Sequence, residues 1–136
     1  MTLTAHEAWT RLLDRARQEL PEQTFKTWLE PTEALSLNEE LQDPRGIAWS
    51  LETFAGLLAA RGDAEASARL WAAADRLLET VGLSIAPFIK WIRDRHMEHV
   101  KMSLGAGRFD AAFAEGRAIS AADAIALARR AALSLQ

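Results

Sequence analysis

The chain has 136 residues, of which 49% are hydrophobic and 26% charged, with a formal charge of -3 and no cysteine. This length accommodates one domain with one core, and the balance of apolar and charged residues excludes the profile of a disordered tail. The absence of cysteine excludes disulfides and thiolate metal sites, and the slight acidity leaves no general field that would draw the chain to nucleic acid.

Ala and Leu dominate, Ile and Val are few and Tyr is absent. That balance favours helix over strand, because Ala and Leu lose little on entering a helix while strands draw on β-branched and aromatic residues. The acidic excess sits in residues 1–40, and the remainder is balanced. No apolar run approaches the ~20 residues needed to span a bilayer. The opening MTLTAHEAW carries neither the basic stretch nor the apolar core of an export signal, so a cytoplasmic location without membrane contact is expected.

In chain order, helical spacing first runs over residues 5–20, with Ala8, Trp9, Leu12, Leu13, Ala16 and Leu20 on one face and Glu7, Arg11 and Asp14 on the other. Thr4 with Glu7 three residues on forms a capping box. Pro21 interrupts the pattern. Residues 22–29 read as a second short helix with Phe25, Trp28 and Leu29 on one side, closed by Pro31. Residues 44–60 then show Ile47, Ala48, Leu51, Phe54, Ala55 and Leu58 on an inner face. Gly62 and Asp63 make a turn, Gly as C-terminal cap and Asp as the next N-cap. Residues 65–81 follow with Ala66, Leu70, Trp71, Ala74, Leu77 and Leu78, giving an antiparallel hairpin in which Ala55 and Ala74 permit close approach.

Gly82 closes that hairpin, and Pro87, suited to a first turn, opens a helix to about residue 104 with Phe88, Ile92, Val100 and Leu104 among its apolar positions. Gly105 and Gly107 punctuate the chain before a short helix over residues 108–115 that carries Phe109, Ala112 and Phe113. Ser120 with Asp123 signals a capped final helix to about residue 133. No segment demands a strand, and the only candidate is residues 34–37. The fold class is all-α.

Residues 7–37, EAWTRLLDRARQELPEQTFKTWLEPTEALSL, resemble the start of the N-terminal domain of the bacterial replication initiator DnaA, through Phe25, Thr27, Trp28 and Pro31 in an FxTWxxP pattern. The resemblance implies a protein-interaction module that self-associates and contacts the replicative helicase and regulators, with a strand pair following the short helix. After SLNEEL the chain departs from that pattern. It continues QDPRGIAWSLETFAGLLAARGD where the family has a second strand and a Val-Pro-Asn turn.

Residues 34–136 resemble the C-terminal tetratricopeptide-like region of large bacterial ATPase-type transcriptional regulators. Leu51, Phe54, Ala55, Leu58, Gly62, Asp63, Trp71 and Ala74 stand at its packing and turn positions, and Ser67 stands where that family prefers alanine. LGAGRFDAAFAEGRAISAADAIALA resembles its closing segment. This resemblance implies antiparallel helical hairpins from the sensing or scaffolding end of such a regulator. The chain carries no GxxxxGK[ST] loop and no recognition helix. The chain accordingly divides into an initiator-like segment with a helical pair, 1–33, and a repeat-like region, 34–136. The two resemblances compete over residues 34–41, helix in the repeat reading and strand in the initiator reading.

Chemistry is sparse. His96 and His99 share a helical face and zinc accepts imidazoles and carboxylates. Yet RHMEHV is not HExxH, and Glu98 points ~100° away from His99, so surface histidines are the better reading. Asp63, Asp75, Asp94 and Asp110 read as turn, cap or surface residues. No enzymatic activity, metal or cofactor is expected. Lys90, Arg93, Arg95 and Lys101, interleaved with Asp94 and Glu98, read as a solvated face in preference to a phosphate site, so no direct nucleic-acid contact is expected.

Trp9, Trp28, Trp49, Trp71 and Trp91 are informative, because Trp dominates protein contact sites but is also a core residue. Trp49 falls between the buried positions of its helix. The interaction candidates are Trp9, Phe25, Trp28, Trp49 and Trp91. A lone repeat hairpin does not bury its hydrophobic edge; either the N-terminal helices cap it or two chains cap each other, and a homodimer is the favoured reading. The expected function is a non-enzymatic, helical protein-interaction or regulatory module. The alternative is a replication-associated adaptor contacting helicase or initiator through the N-terminal helices.

Overall fold

The computed structural model of the protein describes residues 31–134 together with Arg11, Arg15 and Gln18. Six helices make up the described body: α1 (Pro31–Glu40), α2 (Pro44–Arg61), α3 (Ala64–Thr80), α4 (Pro87–Leu104), α5 (Ala106–Ala118) and α6 (Ala121–Ser134). The described residues contain no strand.

Local chemistry accounts for most of these boundaries. Asp43 caps α2 by accepting the Arg45 N–H at 3.1 Å, with Pro44 in the first turn where its missing donor costs nothing. At the far end Gly62 takes the left-handed conformation, φ 87°. Its N–H donates to the Ala59 carbonyl and that of Asp63 to Leu58, the paired bonds of a Schellman ending. Asp63 at once begins the next helix by accepting the Ala66 N–H, so the α2–α3 hairpin turns on two residues. Gly82 ends α3 by the same device, its N–H reaching Glu79 while Leu83 reaches Leu78. Pro87 opens α4, and Ser120 caps α6 through the Asp123 N–H at 3.0 Å.

Pro31 opens α1, since proline suits a first turn; the short helix over residues 22–29 that it is expected to close lies outside the described residues. Helix α1 covers residues 34–40, which were open between helix and strand. One element differs from the sequence expectation. The penultimate helix begins at Ala106 and runs to Ala118, longer than residues 108–115; its two glycines, Gly107 and Gly116, cost at most about 1 kcal/mol each, which packing offsets.

Helix α3 is the axis of the body. It packs along α2 and α5 most extensively and also meets α4 and α6. Its alanines at 66, 68, 72, 73 and 74 are buried, and Trp71 is 1% exposed. Such small side chains let helices approach on several sides at once. Phe54, Leu51, Leu58, Leu70 and Leu35 complete the centre. Ser67, in place of the alanine of the repeat pattern, is fully buried because its hydroxyl donates to the Ala55 carbonyl at 2.6 Å. Helix α6 returns to the start of the body. Ala124, Ile125, Ala128 and Ala131 are buried, and Arg129 reaches Glu39 of α1 at 2.8 Å. The hairpin's apolar edge is thus partly covered by the chain's own last helix.

Where α5 crosses α3, Gly116 is buried and a Cβ there would fall on the Arg69 carbonyl oxygen, with Ala72 Cβ at 2.8 Å. Gly116→Ala is therefore expected to lose about 1–3 kcal/mol to overpacking, measured by urea unfolding. Gly107→Ala in the same helix, where a Cβ meets open space, is expected to be neutral or to stabilise by up to about 1 kcal/mol.

Candidate interaction surface

The geometry of the surface follows from how α4 is held. Its inner side carries Arg93, 6% exposed, and Val100, 3% exposed, one heptad apart. The Arg93 guanidinium spans the three helices. Nε donates to Glu52 of α2 at 2.7 Å and a terminal nitrogen lies 2.7 Å from an oxygen of Asp75 on α3, while the other terminal nitrogen takes a second bond to Glu52. Reading Arg93 with Lys90, Arg95 and Lys101 as one solvated face is thereby corrected. Arg93 points inward because it lies four residues after the half-buried Ile89 and seven before Val100, and its carboxylate partners come from elsewhere in the chain.

This ion cluster is balanced against burial. Burial pushes the Glu52 carboxyl above the usual carboxylate range, by more than the hydrogen bond and charge of Arg93 pull it down. Burial alone would lower Arg93, but the hydrogen bonds and charges of Glu52 and Asp75 outweigh it and leave the guanidinium more firmly protonated than usual. The two directions agree on an ionised arginine facing a carboxylate that is costly to keep charged.

The remaining cations of α4 are distributed outward. Lys90 pairs with Asp94 at 2.7 Å, Arg95 lies 4.6 Å over the Trp91 ring, and the Lys101 ammonium lies 5.0 Å from the Phe109 ring. Phe88 and Trp91, 53% and 46% exposed, stack at 6.5 Å. Phe88, expected among the apolar positions of this helix, therefore faces solvent. Met102, 83% exposed, continues the same side. His96 is half-buried, which lowers its pKa with a smaller contribution from the charge of His99, itself exposed. Among the described residues no three His, Cys, Asp or Glu side chains cluster as a metal site would require.

Trp49 lies on the other exposed face, at a groove of about 320 Å³ between α2, the 81–86 connection and the start of α4. Arg45, Glu52, Leu83, Ile85 and Ile89 line it with Trp49. Of the sequence candidates, Trp49 and Trp91 are thus both partly exposed, but on separate surfaces, whereas Trp71 is core. Trp9, Phe25 and Trp28 lie outside the described residues. Phe88 and Met102 are surface residues missing from those candidates; the signal was helical spacing, Phe88 lying three before Trp91 and Met102 seven after Arg95. Among the described residues no helix is long and apolar enough to cross a membrane.

A sequence model of the family described as the DnaA N-terminal domain matches residues 6–42, about a quarter of the chain. The match takes in Phe25, Trp28 and all of α1, and ends directly before the Asp43 cap of α2. Nothing among the curated proteins and nothing among the solved structures matches the chain.

Arg93→Met is expected to lower stability by up to about 3 kcal/mol, because it leaves the partly buried carboxylates of Glu52 and Asp75 without their cation; denaturant titration measures this. A second expectation concerns pH. Because the folded-state pKa of Glu52 is raised, the folded chain binds its proton more tightly, and stability contributed by that proton is lost as pH rises through the raised value. Wild type should therefore gain stability relative to Glu52→Gln as pH is lowered from neutrality toward the ordinary glutamate range, read from paired urea curves. A difference that shrinks on acidification would contradict the assignment.

Proposed function

We propose that this chain is a non-catalytic protein-interaction module with a replication-related role, in which an initiator-like N-terminal segment is joined to a helical body. The observation that carries the proposal is the match of residues 6–42 to the DnaA N-terminal domain. It coincides with the FxTWxxP pattern of Phe25, Thr27, Trp28 and Pro31. In that family the corresponding domain is a contact module, separate from nucleotide hydrolysis and from DNA reading. The aromatic and apolar side chains left exposed on the body, Trp49, Phe88 and Trp91 among them, support the same reading, since large aromatics at a surface dominate protein contacts.

A second reading concerns the body itself. Helix across residues 34–40, the Gly62–Asp63 turn, and the burial of Leu51, Phe54, Ala55, Leu58 and Trp71 are what the tetratricopeptide-like resemblance implies. They favour a regulatory scaffold in which α1 and the α2–α3 hairpin are stacked repeat elements. The helix over residues 34–40 goes against the strand that the initiator resemblance implies there, so recognition is assigned to the segment before α1 and support to the body.

The test is binding of the full chain to purified replicative helicase and to the initiator, by biolayer interferometry. The proposal predicts a dissociation constant in the micromolar range with at least one of them, weakened about 10-fold or more by Trp28→Ala. Absence of binding to both at tens of micromolar would overturn the replication-related role.

A further inference from the structure

The outer side of α4 has the pattern of a helix seam. Phe88, Trp91, Arg95, Glu98 and Met102 recur at spacings of three and four, the a and d positions of a heptad. Arg93 and Val100, which anchor the helix to the body, occupy the opposite f positions. All five seam residues are exposed, and all lie on the one stripe farthest from the core.

We propose that this seam is a self-complementary interface, through which two copies of the chain pair their α4 helices antiparallel about a two-fold axis between residues 96 and 97. The inference deepens the reading of the chain as an interaction module, and it names a second copy as one partner. The charge order selects the arrangement. In an antiparallel pair an a position meets a d position of the other helix, so Arg95 of one copy faces Glu98 of the other, twice by symmetry. The same register sets Trp91 against Met102 and Phe88 against the helix end at Gly105. On the flank, Asp94 of one copy meets Lys101 of the other. A parallel pair would set Arg95 against Arg95 and Glu98 against Glu98, which like-charge repulsion disfavours.

The seam's own contacts prepare it. The Arg95 guanidinium already lies over the Trp91 ring and Phe88 stacks on Trp91, so three of the five side chains are ordered on the stripe before a partner arrives. Residues 88 to 105 span about 26 Å of helix. Two such stripes bury on the order of 1,000 Å², the lower edge of specific interfaces, which makes the dimer weak and concentration-dependent.

Sedimentation velocity on the full chain tests the proposal, with circular dichroism to verify that each variant is folded. Wild type is expected to dimerise in the micromolar range. Arg95→Glu and Glu98→Arg, each of which creates like-charge pairs at the centre, are expected to weaken dimerisation about 100-fold. The double variant, which restores opposite charges in reverse, should return close to the wild-type constant. A wild type that stays monomeric at hundreds of micromolar overturns the proposal. So does a pair of single variants that dimerise as tightly as wild type, or a double variant no tighter than the singles. Helicase and initiator binding by the monomeric single variants, measured separately, distinguishes failure of this seam from failure of the replication-related reading.

Discussion

A single buried guanidinium organises the surface of this protein. Arg93 enters from α4 and is gripped by Glu52 of α2 and Asp75 of α3. Without this cluster α4 would be held mainly by apolar contacts, through Val100 and the partly buried Ile89, Ile92, Met97 and Leu104. Removing any one member strands the others in a region where an uncompensated charge is expensive, whereas the complete set is roughly neutral in free energy. Its effect is on orientation. With Arg93 inward, the helix is fixed in rotation, and residues half a turn away are committed to solvent.

That constraint acts on a body whose packing is otherwise made by small side chains. The alanines of α3 and the buried Gly116 of α5 bring backbones close, and Trp71 with Phe54 fills the centre. The pairs Arg69–Glu115, Arg117–Glu79 and Arg108–Glu65 join α3 to α5 at the surface. Each contributes little in water. The last helix then lies back over α1, α2 and α3, so the described body closes on itself. The surface left for partners is the outer side of α4, the groove at Trp49 and whatever the initiator-like segment presents.

Much of the fold is legible in the sequence where structure is decided locally. Asp43–Pro44, Gly62–Asp63, Gly82, Pro87 and Ser120 each set a helix boundary through their own backbone preference or a cap three residues away, and the predicted ends fall within a few residues. Pro31 is ambiguous in the sequence, because a proline that interrupts a helix interior also suits a first turn, and it opens α1. The resemblances pulled residues 34–40 two ways: Leu35 packs into the core as part of a helix, against a hairpin the local window does not contain. Arg93 was illegible for a different reason. It is followed by the polar run Asp94, Arg95 and His96, and its partners lie 18 and 41 residues away. Its helical spacing from Ile89 and Val100 hinted at an inward position. The surface candidates were half legible: Trp91 by residue type, Phe88 and Met102 only once the inward side of α4 was known.

The account stands or falls on the claim that α4, locked by Arg93, works as a contact face. Hydrogen–deuterium exchange of the full chain at low and high protein concentration tests it most directly. The account predicts that peptides covering residues 87–104 become more protected as concentration rises while those covering 106–134 do not change. Equal exchange in residues 87–104 at both concentrations, or protection confined to other helices, would contradict it.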